Sequence, residues 1–245
     1  MFIKNKKIIV IVPTYNEVGN IAVFIDKIFV LTLDVSILIV DDNSPDGTSQ
    51  EVKKIKKKYY NLFLITRNKK LGLGSAYIEG FKYALENKYE VIVQMDADLS
   101  HDPKYILDMV NLLDNKDLVV GSRYFGNGGV LNWPLGRVLL SKGANVFAKK
   151  MLGVPINDLT SGFRCLRSNV LEKIKFESIE CQGYGFQIEM VYELFLNGFR
   201  ICEYPIVFEG RRYEESKMTA SIAFEAFFRV LVLFSQRVIR FLKNF

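Results

Sequence analysis

Val91-Ile92-Val93-Gln94-Met95-Asp96-Ala97-Asp98-Leu99-Ser100-His101-Asp102-Pro103 is the most informative segment of this 245-residue chain. An apolar run ends in two carboxylates, Asp96 and Asp98, which stand two residues apart. If the run is a β-strand, both carboxylates point to the same side, because side chains alternate along a strand. Ligand sites of α/β proteins open at the carboxyl ends of strands, and carboxylate oxygens suit Mg²⁺ or Mn²⁺. A lone Asp-x-Asp pair would favour two solvated acids, so the metal-bound diphosphate that it suggests depends on the surrounding sequence.

Apolar runs alternate with helical patterns over the first half of the chain. Buried strands are predicted at residues 8–12, 35–40, 62–65, 91–95 and 118–121, and helices at 17–31, 48–58, 74–87 and 103–113. This alternation is typical of an α/β protein with a mostly parallel sheet and helices on both faces. The rhythm then breaks. We expect a flexible loop at 125–129, a helix at 133–152, a strand at 158–166, a helix at 183–197 and a returning strand at 200–208.

Composition and charge narrow the class of protein. Hydrophobic residues make up 49% of the chain, which supports a sizeable core and excludes disorder. The net charge of +6 fits a lysine-rich proteome, phosphate ligands or an anionic membrane surface. We expect no nucleic-acid partner, because no pattern of a nucleic-acid module is present. The three cysteines, Cys165, Cys181 and Cys202, favour neither a zinc site nor a disulfide framework and indicate a reducing compartment.

The ends of the chain carry no pattern of a leader or a membrane span. Residues 1–7 lack the apolar region of a signal peptide. No segment contains the roughly 18 uncharged apolar residues of a spanning helix. The sequence therefore predicts no transmembrane anchor.

The tail, residues 218–245, reads as an amphipathic helix. A narrow polar face, surrounded by apolar residues, consists of Glu225, Arg229, Gln236, Arg237, Arg240 and Lys243. Such a helix suits a membrane interface, and packing on the body or on a partner subunit fits the pattern equally well. For the interface alternative, we expect the phenylalanines in the acyl boundary and the four basic residues among lipid phosphates. The chain then divides into a unit at 1–217 and an interfacial helix at 218–245.

Polar clusters follow three of the predicted strands. Pro13-Thr14-Tyr15-Asn16-Glu17 ends the first strand, Asp41-Asp42 the second, and the Asp96-x-Asp98 pair the fourth. These clusters meet at one edge of a parallel sheet, where Tyr15 can stack on a base and Asp42 can accept from a base or ribose. Together they indicate a nucleoside diphosphate. The pair Gly72 and Gly74 lacks the third glycine of a dinucleotide fingerprint, and no Walker A sequence occurs.

The same residues carry a family resemblance. The first half of the chain resembles family 2 glycosyltransferases of the GT-A fold. The resemblance rests on the clusters above and on Asp41-Asp42-Asn43-Ser44-Pro45-Asp46-Gly47-Thr48, Gly72-Leu73-Gly74-Ser75-Ala76 and Gly121-Ser122-Arg123. The second half is similar to dolichyl- or polyprenyl-phosphate mannosyltransferases. It does so through Trp133-Pro134-Leu135-Gly136-Arg137, Ser141, Asn145, Asp158-Leu159-Thr160-Ser161-Gly162-Phe163-Arg164, Gly183-Tyr184-Gly185-Phe186-Gln187-Ile188-Glu189-Met190 and Ser216-Lys217. The match runs from about residue 8 to 217 and makes the first unit a GT-A catalytic domain.

The resemblance implies a role for each matching residue. The guanosine pocket would be lined by Pro13, Tyr15, Glu17, Val40 and Asp42. The donor diphosphate and its Mg²⁺ or Mn²⁺ would be held by Asp96 and Asp98, with Ala97 and Ser100 beside them. The acceptor phosphate and the leaving diphosphate would meet Arg123, Arg137, Ser141, Arg211 and Lys217. The residues implied as catalytic are Asp98, Arg123, Arg137 and Ser141. Guanidinium forks suit phosphate, and Ser141 lies one helical turn from Arg137.

The predicted late helix explains why a phosphate acceptor fits. Many relatives place an acidic base where this chain has Gly183-Tyr184-Gly185-Phe186-Gln187. A lipid monophosphate is already ionised and needs no base, so catalysis reduces to positioning, metal-assisted departure and electrostatic support. Three positions differ from the family pattern, namely Ser100, Gln182 and Glu214. His101 is expected to be structural or to support the metal site from behind.

The sequence therefore favours an inverting transfer of mannose from GDP-mannose to a dolichyl or polyprenyl phosphate. The expected location is the cytoplasmic face of a membrane, where the protein is peripheral, with small membrane subunits as further partners. One alternative is a hexosyltransferase that uses UDP-glucose or another UDP-sugar. A second alternative is a non-catalytic subunit that binds a nucleotide sugar. It is opposed by the intact Asp96, Asp98, Arg137 and Lys217.

Overall fold

The computed structural model describes residues 6–31, 34–179, 181, 183–210 and 220–243. Within that part, a seven-stranded sheet has the order β3-β2-β1-β4-β7-β5-β8. Its strands are β1 (Ile8–Thr14), β2 (Val35–Asp41), β3 (Leu62–Thr66), β4 (Val91–Gln94), β5 (Leu118–Ser122), β7 (Arg164–Arg167) and β8 (Ile201–Pro205). All pair in parallel except β7, which is antiparallel to both neighbours. A separate parallel pair joins β6 (Gly129–Leu131) and β9 (Val207–Glu209).

Helices cover both faces of the sheet. The helices are α1 (Val18–Phe29), α2 (Thr48–Ile55), α3 (Leu73–Glu86), α4 (Ile106–Leu112), α5 (Leu135–Leu152), α6 (Gly183–Leu196) and α7 (Ala220–Lys243). Alternate residues of β1 enter two different cores, with Ile9 and Ile11 in one and Ile8 and Val10 in the other. The first core packs against α3, α5, α6 and α7, and the second against α1 and α4. The α/β fold with a mostly parallel sheet is confirmed.

Two strands have other ends than predicted. β1 continues through Pro13 to Thr14, because the Thr14 carbonyl still accepts from the Asp42 amide at 2.9 Å. The predicted strand at 158–166 is wrong in its first half, since only residues 164–167 pair. The chain before them is held by side chains, with Asn145 Oδ1 accepting from the Leu159 amide at 2.8 Å.

The second half differs in two further places. The predicted strand at 200–208 is two strands, separated at Ile206. The second of them pairs with β6, so the predicted loop at 125–129 ends in a strand at Gly129. The helix predicted from 133 begins at Leu135, with Pro134 as its N-cap.

Helix α7 packs on α5 and α6 and inserts Ala226, Val230 and Leu233 into the core. Two arginines of its polar face contact the protein body, Arg229 half-buried and Arg237 exposed. Arg229 donates from Nε to Glu189 Oε2 at 2.8 Å, and Arg237 donates to the Met151 carbonyl at 2.8 Å. Arg229 and Arg237 therefore have partners on the protein body, and the placement of the basic residues of the tail among lipid phosphates stays a prediction. The side chains of Arg240 and Lys243 lie outside the described residues, as does Met218.

The outer face of α7 is apolar. Phe224, Phe228 and Ile239 are each at least half exposed, and Phe227 stacks on Phe147 of α5 at 5.1 Å. Among the described residues, none of the helices combines the length and apolar character that a membrane crossing requires.

Candidate active site

A cavity of about 420 Å³ opens at the carboxyl ends of the parallel strands. This is where α/β folds place their ligands, because the strand ends and the loops that follow them leave a crevice there. One end of the cavity is formed by the residues after β1, the middle by those after β4, and the far end by β9 and the start of α5. Its lining includes Pro13, Tyr15, Glu17, Asp42, Asp96, Ala97, Asp98, Arg123 and Arg137.

The end of the cavity next to β1 has the features expected of a nucleoside pocket. Lys70 Nζ lies 3.9 Å from the ring centroid of Tyr15. Glu17, which precedes α1, is buried and accepts from Asn20 Nδ2 at 2.9 Å. Its backbone amide contacts Thr48 Oγ1 at 2.9 Å, so the starts of α1 and α2 are tied together. The structure thus brings the predicted Pro13, Tyr15 and Glu17 to one wall.

Asp42 lines the same wall, but its carboxylate already has partners. It pairs with the Arg67 guanidinium and accepts from the amides of Leu71 and Gly72 at 3.2 and 2.8 Å. Asp42 therefore shapes the loop after β3, in addition to any contact with a ligand. Val40 does not line the cavity, because its side chain lies wholly in the core. The expectation that this side chain reaches the nucleoside is corrected accordingly.

Asp96 and Asp98 face the middle of the cavity beyond the end of β4. Asp98 is buried, and its Oδ1 accepts from the Ser100 amide at 3.0 Å across Leu99, whose φ is +62°. Gly162 lies against Asp96 so closely that a Cβ there would be 3.3 Å from Asp96 Oδ2. Ser100 does not line the cavity, and its carbonyl accepts from the Glu209 amide at 3.1 Å, so it supports the loop from behind.

The two carboxylates fit a divalent cation. Hard oxygen ligands suit Mg²⁺ and Mn²⁺, which keep several positions for phosphate oxygens and water. Among the described residues, no group of three or more His, Cys, Asp and Glu side chains is arranged to hold a metal ion. Asp96 and Asp98 would leave coordination positions for the phosphate oxygens of a diphosphate and for water.

His101 lies beside this pair, lines the cavity and is almost wholly buried. Its ring packs 5.2 Å from both Phe163 and Phe208, and its Nδ1 lies 3.8 Å from Asp96 Oδ2. Burial lowers the pKa of His101 to about 4, so the imidazole is neutral at pH 7. Nδ1 has no hydrogen-bond partner within the described part of the chain. The imidazole therefore adds no charge to this part of the cavity at pH 7.

Arg123 reaches the cavity from the end of β5, where Asp158 holds it. Asp158 accepts from Nε and Nη2 at 2.7 and 2.6 Å, and Thr160 Oγ1 accepts from Nη2 at 2.8 Å. Burial alone raises the pKa of Asp158, but the guanidinium outweighs it and keeps that pKa below its ordinary value. The pair is therefore charged, and it fixes the direction of the guanidinium.

Arg137 and Ser141 lie on successive turns of α5, as predicted. Arg137 lines the cavity, with its Cζ 3.9 Å from the Trp133 ring centroid. Ser141 accepts from the Tyr124 hydroxyl at 2.7 Å and does not line the cavity. A contact between Ser141 and a phosphate stays a prediction. Arg211 and Lys217 lie outside the described residues, and so do Gln182, Glu214 and Ser216.

The far end of the cavity contains residues to which the sequence analysis gave no individual role. They are Trp133, Thr160, Tyr184, Gln187 and Phe208, and the same holds for Lys70 at the β1 end and for Gly162 beside Asp96. Several of them stand inside motifs that carried the resemblance, which was the available signal.

Comparison with known proteins agrees with this geometry. Residues 9–175 match the model of the family described as glycosyl transferase family 2. The chain belongs to that family of glycosyltransferases. The predicted family and enzyme class are thereby confirmed.

Two curated relatives of this glycosyltransferase have specific names. The polyprenol monophosphomannose synthase of Mycolicibacterium smegmatis is 40% identical over 92% of this chain and 86% of the relative. The undecaprenyl-phosphate mannosyltransferase of Micrococcus luteus is 37% identical over 90% of each chain.

Solved structures of other glycosyltransferases share the fold. Glucosyl-3-phosphoglycerate synthase from Mycobacterium tuberculosis has a TM-score of 0.69 at 18% identity, over 95% of this chain and 81% of that one. A mannosyltransferase from Pyrobaculum calidifontis, solved with GDP-Man and Mn²⁺, has a TM-score of 0.63 at 20% identity. The structural match covers 96% of this chain and 64% of the Pyrobaculum chain.

The α6 side of the cavity in this glycosyltransferase offers no carboxylate among the described residues. Where α6 reaches it, the described lining residues are Gly183, Tyr184 and Gln187, and none of them is a carboxylate. Glu189, further along α6, is paired with Arg229. The α6 wall therefore supplies no general base to an acceptor, whereas the far end supplies two guanidinium groups.

Proposed function

We propose that this glycosyltransferase moves mannose from GDP-mannose to a polyprenyl monophosphate and inverts the anomeric carbon. The observation that carries the proposal is the division of the cavity. Two metal-type carboxylates, Asp96 and Asp98, line its middle, and two guanidinium groups, Arg123 and Arg137, line its far end. The names of the two curated relatives support both the mannosyl group and the lipid phosphate.

In this proposal, the chain's own residues act by position and charge. Asp96 and Asp98 hold the cation, while the wall with Tyr15 and Glu17 takes the guanosine. When bound, Mg²⁺ or Mn²⁺ neutralises the diphosphate and assists its departure from the sugar. Arg123 and Arg137 hold the acceptor phosphate, with Ser141, Arg211 and Lys217 as further proposed contacts.

The lipid phosphate is ionised at neutral pH, so its attack needs no protein base. A phosphate oxygen attacks the anomeric carbon of mannose from the side opposite to the diphosphate. One carbon–oxygen bond forms, the bond to the leaving diphosphate breaks, and no proton has to be removed. The absence of a carboxylate among the described α6 residues of the lining agrees with this chemistry.

We further propose that the protein is peripheral at the cytoplasmic face of a membrane, where the acceptor phosphate lies. Two exposed apolar faces support this. Leu135, Leu139 and Leu140 on α5 are each more than 60% exposed, as is Phe224 on α7. The stacked pair of Phe147 and Phe227 connects the two helices. Residues 1–217 would form the catalytic unit and 218–245 the segment that adds the second face, with small membrane subunits as further partners.

Calorimetry with GDP and UDP tests the donor half of the proposal. With Mn²⁺ present, GDP should bind the wild-type protein more tightly than UDP, and Asp98→Asn should weaken GDP binding. Arg137→Ala should leave GDP affinity near the wild-type value, because Arg137 lies at the other end of the cavity. Tighter binding of UDP would oppose the GDP-mannose assignment, and a large loss of GDP affinity in Arg137→Ala would move that residue to the donor site.

A further inference from the structure

The single tryptophan of the chain lies between the two cationic side chains at the far end of the cavity. The Cζ atom of Arg137 is 3.9 Å from the Trp133 ring centroid, and that of Arg123 is 5.6 Å from it. Phe208 packs edge-on against Trp133 at 5.3 Å and is itself 5.6 Å from Arg123. Aromatic rings within about 6 Å of a guanidinium attract it through the negative face of the ring.

The backbone around Trp133 keeps the ring in place. Asn132, the preceding residue, has a φ of +61°, and the Leu131 carbonyl accepts from the Gly210 amide at 3.0 Å. Gly210 passes so close that a Cβ there would lie 3.1 Å from Trp133 Cδ1. The indole thus packs against Gly210, at the end of β9, and against Phe208, and these contacts restrict its rotation.

A fixed ring reduces the cost of holding an arginine ready for an anion. An arginine side chain has many rotamers, and each one lost on binding subtracts from affinity. Arg123 is already oriented by Asp158. Arg137 lies on the first turn of α5, and its Cζ is 3.9 Å from the Trp133 ring centroid. The indole face is therefore a surface that can orient this guanidinium.

We propose that Trp133 is a positioning residue, which holds the Arg137 guanidinium, and with Phe208 that of Arg123, in the direction that receives the acceptor phosphate. The inference rests on the proposed function for the identity of the acceptor. It assigns to Trp133 no contact with the nucleotide, which lies at the opposite end of the cavity.

Two substitutions of Trp133 distinguish the effect of an aromatic face from that of side-chain volume. Trp133→Phe keeps a π face, and Trp133→Leu keeps only apolar volume. We expect Trp133→Leu to raise the KM for a polyprenyl phosphate by roughly five- to thirtyfold, with a smaller rise in Trp133→Phe. The KM for GDP-mannose should stay within about twofold of wild type, since both guanidiniums remain and a cation–π contact contributes only at the acceptor end. Phe125→Leu, an exposed aromatic of the same loop region, is the matched control and should leave both values unchanged.

The fluorescence of this single tryptophan gives a readout that does not need turnover. Titration with citronellyl phosphate, a short prenyl phosphate, should produce a saturable change in emission in the wild-type protein. The change should be lost in Arg137→Ala. This measurement also works without a donor, so it separates failure of the positioning role from failure of the proposed mannosyl transfer.

Equal acceptor KM values for Trp133→Leu and wild type would overturn the positioning role, even if mannosyl transfer is intact. So would emission that stays constant at acceptor concentrations that saturate transfer. If Trp133→Leu fails to fold by circular dichroism, Trp133→Phe and the titration of the wild-type protein still decide the question. A response to citronellyl phosphate without any transfer from GDP-mannose would support the positioning role and contradict the proposed donor.

Discussion

Asp158 and Arg123 form a two-pronged ion pair in a part of the molecule where both side chains are buried. The carboxylate accepts from Nε at 2.7 Å, from Nη2 at 2.6 Å and from the Arg123 amide at 3.0 Å. The pair joins the end of β5 to the loop before β7, which contributes Thr160, Ser161 and Gly162 to the cavity wall. One interaction therefore supports both Arg123, which we propose receives the acceptor phosphate, and the loop beside Asp96.

Removing the charge of Asp158 should destabilise the fold and disturb the acceptor end. Breaking one partner of a buried pair leaves an uncompensated charge, which costs about 3–5 kcal/mol. We expect Asp158→Asn to lower the free energy of unfolding by about this amount, measured by denaturant titration. Glu51→Gln, which removes a carboxylate from the exposed pair with Lys54, is the matched control and should leave the midpoint nearly unchanged. Equal midpoints for wild type and Asp158→Asn would show that the pair does not support the fold.

The only histidine of the chain should not titrate near neutral pH in the folded protein. Burial lowers the pKa of His101 from 6.5 to about 4, so the folded state stays neutral while the unfolded chain binds a proton below pH 6.5. Stability should therefore be fully present above pH 6.5 and fall as the pH drops from 6.5 towards 4, by up to about 3 kcal/mol.

Proton NMR checks this directly, because a single imidazole gives an unambiguous signal. Its chemical shift should be flat between pH 5.5 and pH 8, and His101→Gln should flatten the pH dependence of unfolding. An imidazole signal that titrates with a midpoint near 6.5 would contradict the buried, neutral assignment.

A methyl group at Gly162 should disturb the metal site. The Cβ of Gly162→Ala would lie 3.3 and 3.4 Å from the two carboxylate oxygens of Asp96, so that carboxylate has to shift. Since a coordinating carboxylate must hold its direction, we expect a severalfold weaker affinity for Mn²⁺ in the presence of GDP, measured by electron paramagnetic resonance. Gly143→Ala, on an open part of α5, serves as the control and should bind Mn²⁺ like wild type. Unchanged affinity in Gly162→Ala would mean that Asp96 is not a ligand or moves without cost.

The outer face of α7 should contribute to membrane binding. Phe224 and Phe228 are exposed, and the basic Arg229 and Arg237 point to the protein body. Replacing both phenylalanines by Ser should reduce co-sedimentation with anionic liposomes, with little effect of added salt on the difference, because the lost contribution is apolar. Val30→Ser, on the highly exposed end of α1, is the control. Full sedimentation of the double variant would assign this face to a protein partner.

The parallel sheet could be predicted because strands buried on both faces read as continuous apolar runs. The ends of those runs then located Tyr15, Asp96 and Asp98 at one edge. The antiparallel β7 and the small pair of β6 and β9 could not be predicted in the same way. Their partners are strands that are distant in the chain, and no local pattern marks the pairing.

Partners far apart in the chain also limit what the sequence shows of the site. Asp42 has the chemistry of a ribose ligand, but its pairing with Arg67 appears only in three dimensions. The helical wheel of α7 shows a basic stripe without showing which face packs. Glu189, forty residues away, decides that Arg229 points inwards. Residue type thus predicts which interactions a side chain can make, and tertiary contacts determine which partner it has.

Transfer of mannose to a lipid phosphate can be measured by the extraction of labelled lipid. The purified protein is incubated with polyprenyl phosphate, Mg²⁺ or Mn²⁺, and radiolabelled GDP-mannose, UDP-glucose or UDP-GlcNAc, and the lipid is then extracted into organic solvent. We predict that label enters the organic phase from GDP-mannose, and that excess chelator or Asp98→Asn abolishes this. Label that enters only from a UDP-sugar, or full transfer from GDP-mannose in excess chelator, would contradict the account.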